Sequence, residues 1–111
     1  MTKSRKRTKA CEMGDDLRIT KTTRRAAGGG TWVIGTIAGH RFNALVFPEH
    51  AEFPDYELGT SRISKLWVQR LADGKTVVNF DRGWDIRPAD ATAAVIVDFL
   101  AAGLADLIYH A

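Results

Sequence analysis

One segment of this chain reads at helical period, and it lies at the C-terminus. From Pro88 to about Tyr109, the residues Ala93, Ile96, Val97, Leu100, Leu104, Leu107 and Ile108 fall on one side of a helix turning about 100° per residue. Pro88 suits the first helical turn, where its missing N–H costs nothing, and Asp90 is placed to complement the positive end of the helix dipole. A lone amphipathic helix must lay its apolar side on something, and the strand signals all precede it. The expected class is therefore α+β, an antiparallel sheet packed by one C-terminal helix. Asp98 and Asp106 interrupt the same segment, so no run reaches the roughly 18 uninterrupted apolar residues of a membrane span.

The strands follow from composition and turn chemistry. Thr31 to Ala38 and Arg41 to Phe47 are rich in β-branched and aromatic residues, with Gly39-His40 between them as a tight turn. Pro48 to Thr60, with two prolines and four acids, is a long connection. A third strand over Arg62 to Leu71 meets a fourth over Thr76 to Phe80 through Asp73-Gly74, a dipeptide that favours hairpin turns. Two hairpins make a four-stranded sheet, and residues 30–111 form a ββββα domain. Upstream there is no apolar periodicity, and the segment closes on Ala26-Ala27-Gly28-Gly29-Gly30, so residues 1–29 are expected to be a disordered basic tail. A chain of 111 residues has room for one such core.

The strands are apolar on both sides. Leu66 and Val68 point one way and Ile63 and Trp67 the other, while Trp32 and Ile34 oppose Val33 and Ile37. One helix covers one face. A homodimer would bury the other, as would a folded-back loop over residues 48–60. On the helix, Val95, Phe99 and Ala102 form a second stripe suited to a dimer or partner contact.

Charge is divided along the chain. Residues 1–30 carry nine Lys/Arg against three acids, and residues 31–111 carry seven against ten. Attraction to polyanions is thus expected to reside in the tail, where Lys3, Arg5, Lys6, Arg7 and Lys9 crowd together and Arg24 and Arg25 follow. Translation from Met13 would remove five of these cations and one acid. No apolar stretch follows the basic run as in a signal peptide, and Cys11 has no partner for an internal disulfide, so a cytoplasmic protein is expected.

Within the expected domain, Lys65, Trp67, Arg82 and Trp84 could join cations to aromatic platforms, the arrangement by which single strands are held. Arg62 and Arg70 fall on the other face by alternation, which splits the patch, and core packing of Trp67 is the plainer alternative. The run from Asp81 to Asp85 is explained by turn chemistry alone. Glu49, His50, Glu52, Asp55 and Glu57 share one loop, but nothing in their spacing fixes metal geometry. Ser61, Ser64, Cys11, His40, His50 and His110 lack the spaced partners of a nucleophile or a base, and the glycine run neither follows a strand nor opens a helix. No catalytic activity, metal or cofactor is expected.

The segments Trp32 to Ile37, Arg41 to Phe47, Arg62 to Val68 and Asn79 to Asp85 resemble a family of small uncharacterised proteins of bacteria, phages and mobile elements. The resemblance runs from Trp32 through Leu107 and implies no activity. In layout, a basic N-terminus followed by four strands and one helix is similar to single-stranded-DNA-binding transcriptional coactivators of the positive-cofactor-four type. That likeness implies nucleic-acid binding and dimerisation through helices, where Val95 and Phe99 would serve. The expectation is a non-catalytic nucleic-acid-binding accessory protein for single-stranded DNA or RNA. The alternative is a protein-interaction module with no nucleic-acid role.

Overall fold

A computed structural model describes residues 16–109; the run Lys3 to Lys9, Cys11 and Met13 lie outside them. Six strands, β1 (Arg18–Arg24), β2 (Thr31–Ile37), β3 (His40–Val46), β4 (Ile63–Arg70), β5 (Thr76–Asp81) and β6 (Trp84–Ile86), form one antiparallel meander in chain order. Helix α1 (Ala91–Tyr109) follows and lies against one face.

The α+β class and the single C-terminal helix stand, but the sheet has six strands rather than four. β6 comes from the segment read as a turn, folding back beside β5 with Phe80 paired to Trp84. β1 comes from the segment read as tail. Its sequence has no apolar alternation, yet Ile19, Thr20, Thr22 and Thr23 are β-branched, and an edge strand needs little more than backbone pairing. Thr23 faces Trp32, Lys21 faces Ile34, and a bulge between Ile19 and Lys21 lets Thr20 Oγ1 donate to the Ile34 carbonyl at 3.0 Å. Gly35 admits this strand: a Cβ there would lie 2.5 Å from the Arg18 carbonyl oxygen and 2.9 Å from the Phe42 ring. Four cations assigned to the leader therefore sit on or beside the sheet. Between residues 16 and 109, eleven Lys/Arg balance eleven Asp/Glu, so charge and fold are not segregated as the sequence suggested.

The core lies between α1 and one sheet face. Val33, Phe42, Ala44, Val46, Leu66 and Val68 meet Ala93, Ile96, Val97, Leu100, Leu104 and Ala105 of the helix. Ile63, expected beside Trp67, joins this core, because Leu45 pairs with Lys65 but Val46 with Ile63, leaving Ser64 as an extra residue that reverses the alternation. The β2–β3 turn is Ala38-Gly39, both at positive φ (51° and 73°), with His40 already in the strand; left-handed turns of this kind match strand twist.

Pro88 precedes the helix rather than opening it. Asp90 caps it, its Oδ1 accepting from the Ala93 amide at 2.8 Å. Leu107, expected to be buried, is exposed, and Ala105 packs inward instead. Val95 and Phe99 are half-buried against the chain's own core, whereas Ala102 is exposed. By length and composition α1 could cross a bilayer, since its two aspartates do not offset so apolar a segment. Its inward side, however, is spent on the sheet.

Candidate functional site

Strand register defines what the other face displays, because directly paired residues share a side. Lys21, Ile34, Asn43, Trp67 and Asn79 form one row across five strands. Thr23, Trp32, Leu45, Lys65 and Asp81 form the next, and Thr36, Arg41 and Gln69 a third. No described helix covers these rows. Trp32 and Trp67 are half-buried, two strands apart, which is roughly 10 Å laterally at ordinary strand spacing. The Trp67 indole donates to Thr76 Oγ1 at 3.3 Å. Arg18, Lys21, Arg41 and Lys65 lie on this face with Asp81 as the acid among its rows, while Asp90, Asp98 and Asp106 begin or line the helix. The uncovered side of the sheet is thus basic and aromatic, while the helix-side acids Asp90 and Asp106 are paired with Arg70 and Arg62.

At one end the open face runs into a cavity of about 570 Å³. Its wall is the connection between β3 and β4, which bends inward at Glu57. Pro54–Tyr56 form a short 3₁₀ turn, and the next side chain, Glu57, accepts from the amides of Ala51 and Arg62 and contacts His50 Nδ1, each at 2.7 Å. Burial would raise the Glu57 carboxyl, but the His50 contact and the two amides together hold it below the ordinary range. Leu58 turns the opposite way into the helix-side core. Arg62 is also committed: it reaches the Pro48 carbonyl at 3.2 Å and pairs with Asp106.

Three other cations line the cavity, two of them without a carboxylate partner among the described residues. Arg25 lies over the Phe47 ring at 6.0 Å and Arg82 over Tyr56 at 5.6 Å. Lys65 stands 3.4 Å from Asp81, a loose pair. Leu45 and Phe47 give an apolar lining, and Gly30 permits their approach: at φ 87°, a Cβ there would lie 3.0 Å from the Phe47 ring. Arg62 and Arg82 also hold positive φ (64° and 55°), a conformation that costs a non-glycine residue about 1 kcal/mol or more and gathers at functional sites.

Of the residues singled out from sequence, Arg25, Lys65 and Arg82 come together here, and Trp67 stands on the adjoining face. Arg24 is exposed and paired with Thr31, on the helix side. Trp84 is on the helix side too, edge-on to Phe80 at 5.2 Å with Arg87 over its ring. Lys3, Arg5, Lys6, Arg7 and Lys9 lie outside the described residues. Among the described residues, no three His, Cys, Asp or Glu converge as metal ligands. Trp32, Lys21, Arg41, Phe47 and Tyr56 were not singled out as binding residues; Lys21 and Arg41 share a face with Trp67 only through strand pairing, which no local motif encodes.

No curated protein and no solved structure matches the chain. Residues 31–105, from β2 into the last turns of α1, match the model of a domain of unknown function, DUF7678, and the chain belongs to that family.

Proposed function

We propose that this protein is a non-catalytic accessory factor that binds single-stranded DNA or RNA across the open face of its sheet. The observation that carries the reading is the placement of Trp32 and Trp67 on one uncovered face with Arg18, Lys21, Arg41 and Lys65. Unpaired bases stack on aromatic rings for about 1–3 kcal/mol each, and cations nearby hold the phosphates. A duplex hides its bases from such rings. The cations from Lys3 to Lys9 add sequence-blind attraction. Likeness to the single-stranded-DNA-binding coactivators is one of layout, loosened by the two additional strands. The reading rests on the face itself.

The test is a salt titration of binding to single- and double-stranded oligonucleotides, followed by tryptophan fluorescence. Quenching by the single strand is expected, with affinity falling as salt rises. Neutralising Lys3, Arg5, Lys6, Arg7 and Lys9 to glutamine should flatten the salt dependence, by about 0.7 in log–log slope for each phosphate that is no longer neutralised, and leave the quenching in place. Equal affinity for duplex and single strand, with no quenching, would refute the stacking face.

A second reading places a protein on the same surface. Ile34, half-buried between the two tryptophans, would suit an interface core, and a second copy is the simplest partner. A dimer formed this way would shield both indoles from a soluble quencher and dissociate on dilution. A monomer with accessible indoles favours nucleic acid.

A further inference from the structure

The cavity differs from the open face in how its cations are held. A guanidinium paired with a carboxylate has its charge neutralised and its donors occupied, as Arg62 and Arg70 do with Asp106, Asp73 and Asp90. Arg25 and Arg82 have no carboxylate partner among the described residues and rest on aromatic rings instead, which leaves their N–H donors unspent. The Nε of Arg25 is buried with no acceptor among the described residues, and a buried donor without a partner is costly. Lys65, only loosely paired with Asp81 at 3.4 Å, adds a third cation. Two acids line the cavity: Glu57 is saturated by its own loop, and Glu49 is exposed to solvent. The lining therefore suits an anion rich in acceptor oxygens. Three cations suit a dianion, and a phosphate monoester offers three terminal oxygens.

Leu45 and Phe47 give the same cavity an apolar side, and its volume of about 570 Å³ falls in the range of small-ligand sites. We propose that the cavity receives a nucleotide bearing a phosphate monoester, with Arg25, Lys65 and Arg82 on the phosphate and the base against Phe47 and Leu45. Such a group is either the phosphorylated end of a single strand or a free nucleoside monophosphate. Because Leu45 and Lys65 belong both to the cavity and to the open face, a strand lying over Trp67 and Trp32 would end here. The strand form of the proposal rests on the nucleic-acid reading above; the mononucleotide form does not.

Two measurements on the full chain separate them. In the first, one short single strand is compared with a 5′-phosphate, with a 3′-phosphate and with hydroxyls at both ends. One phosphorylated form is expected to bind roughly tenfold tighter, as a charge-assisted contact of this kind allows. The preference should vanish in the double variant Arg25→Gln, Arg82→Gln, with its thermal midpoint close to the parent's, and persist in Arg41→Gln on the open face. In the second, a nucleoside monophosphate, the nucleoside and inorganic phosphate are titrated while backbone amides are followed by NMR. The monophosphate is expected to shift Gly29, Gly30 and Ser64 at lower concentration than either fragment. Three strands that bind alike, together with no shift at these amides, would overturn the proposal while leaving the stacking face intact. Monophosphate binding with no strand bound would refute the nucleic-acid reading and uphold the mononucleotide form. Inorganic phosphate as effective as the monophosphate would remove the base, and the proposal with it.

Discussion

The two faces of this sheet obey different rules. On the helix side, Val33, Phe42, Ala44, Val46 and Val68 are wholly excluded from solvent. On the other, Trp32, Ile34, Asn43, Trp67 and Asn79 are half-buried, and amides and ammonium groups alternate with indoles. Burying a polar group without a partner is costly, so a face rich in amide and ammonium groups is not assembled for the interior. Stability comes from the helix-side face, and the proposed binding from the other. The sharpest way to break this contrast is to truncate one aromatic residue on each. Phe42→Ala should cost about 3–5 kcal/mol in denaturant unfolding, as large cavities in cores do. Trp67→Ala removes cross-strand packing worth about 1 kcal/mol or less, yet should weaken single-strand binding about tenfold. If Trp67→Ala unfolded the chain as readily as Phe42→Ala, the open face would be a second core and the contrast false.

The connection between β3 and β4 serves both faces at once. Leu58 enters the helix-side core while Glu57, its neighbour, holds the loop against the cavity. Glu57→Gln keeps the shape but leaves one carbonyl oxygen for two amides and removes the charge facing His50. An expected loss of about 1–3 kcal/mol follows from stranding a buried donor. Hydrogen exchange should quicken at Ala51 and Arg62 and stay slow at Val68. Because the folded-state carboxyl is held below its ordinary range, its contribution is complete above the unfolded value and fades as pH falls below it. A uniform loss of protection across the core would show that the loop and the two faces unfold as one unit.

How much of this was legible before the fold was known depended on whether a signal was local. The β4–β5 hairpin was readable because Asp73 and Gly74 sit between two apolar runs, and α1 because its period persists for five turns. β1 was not, since Arg18–Arg24 gives the core little beyond Ile19 and depends on the backbone of β2. Simple alternation puts Ile63 on the wrong face, because a bulge, invisible in composition, inverts it at Ser64. The cavity was the least legible part. Arg25, Lys65 and Arg82 are far apart in sequence and meet only because a meander brings the ends of its strands together. Arg82 and Gly83 did announce a turn, but nothing local indicated that the arginine would adopt a positive φ and rest on Tyr56.

The smallest effect belongs to the end of the sheet away from the cavity, where the β4–β5 hairpin is tied by charge. Arg70 donates to both oxygens of Asp73, at 3.2 and 3.0 Å, and reaches Asp90, the cap of α1, at 2.9 Å. These bonds from Arg70, then the Lys75 amide, hold the Asp73 carboxyl down to about 2. A depressed carboxylate stabilises the fold fully above its unfolded value and ceases to do so as pH drops to its folded one. The window is therefore roughly pH 4 down to pH 2. Both groups are open to solvent, so screening keeps the contribution small. Asp73→Asn should lower the thermal midpoint slightly and evenly above pH 4, and its curve should converge with the parent's toward pH 2. Affinity for a single strand should not change, since Arg70 and Asp73 lie apart from the rows bearing Trp32 and Trp67. A change would mean that the binding surface wraps around this hairpin, and the division of labour between the faces would have to be redrawn there.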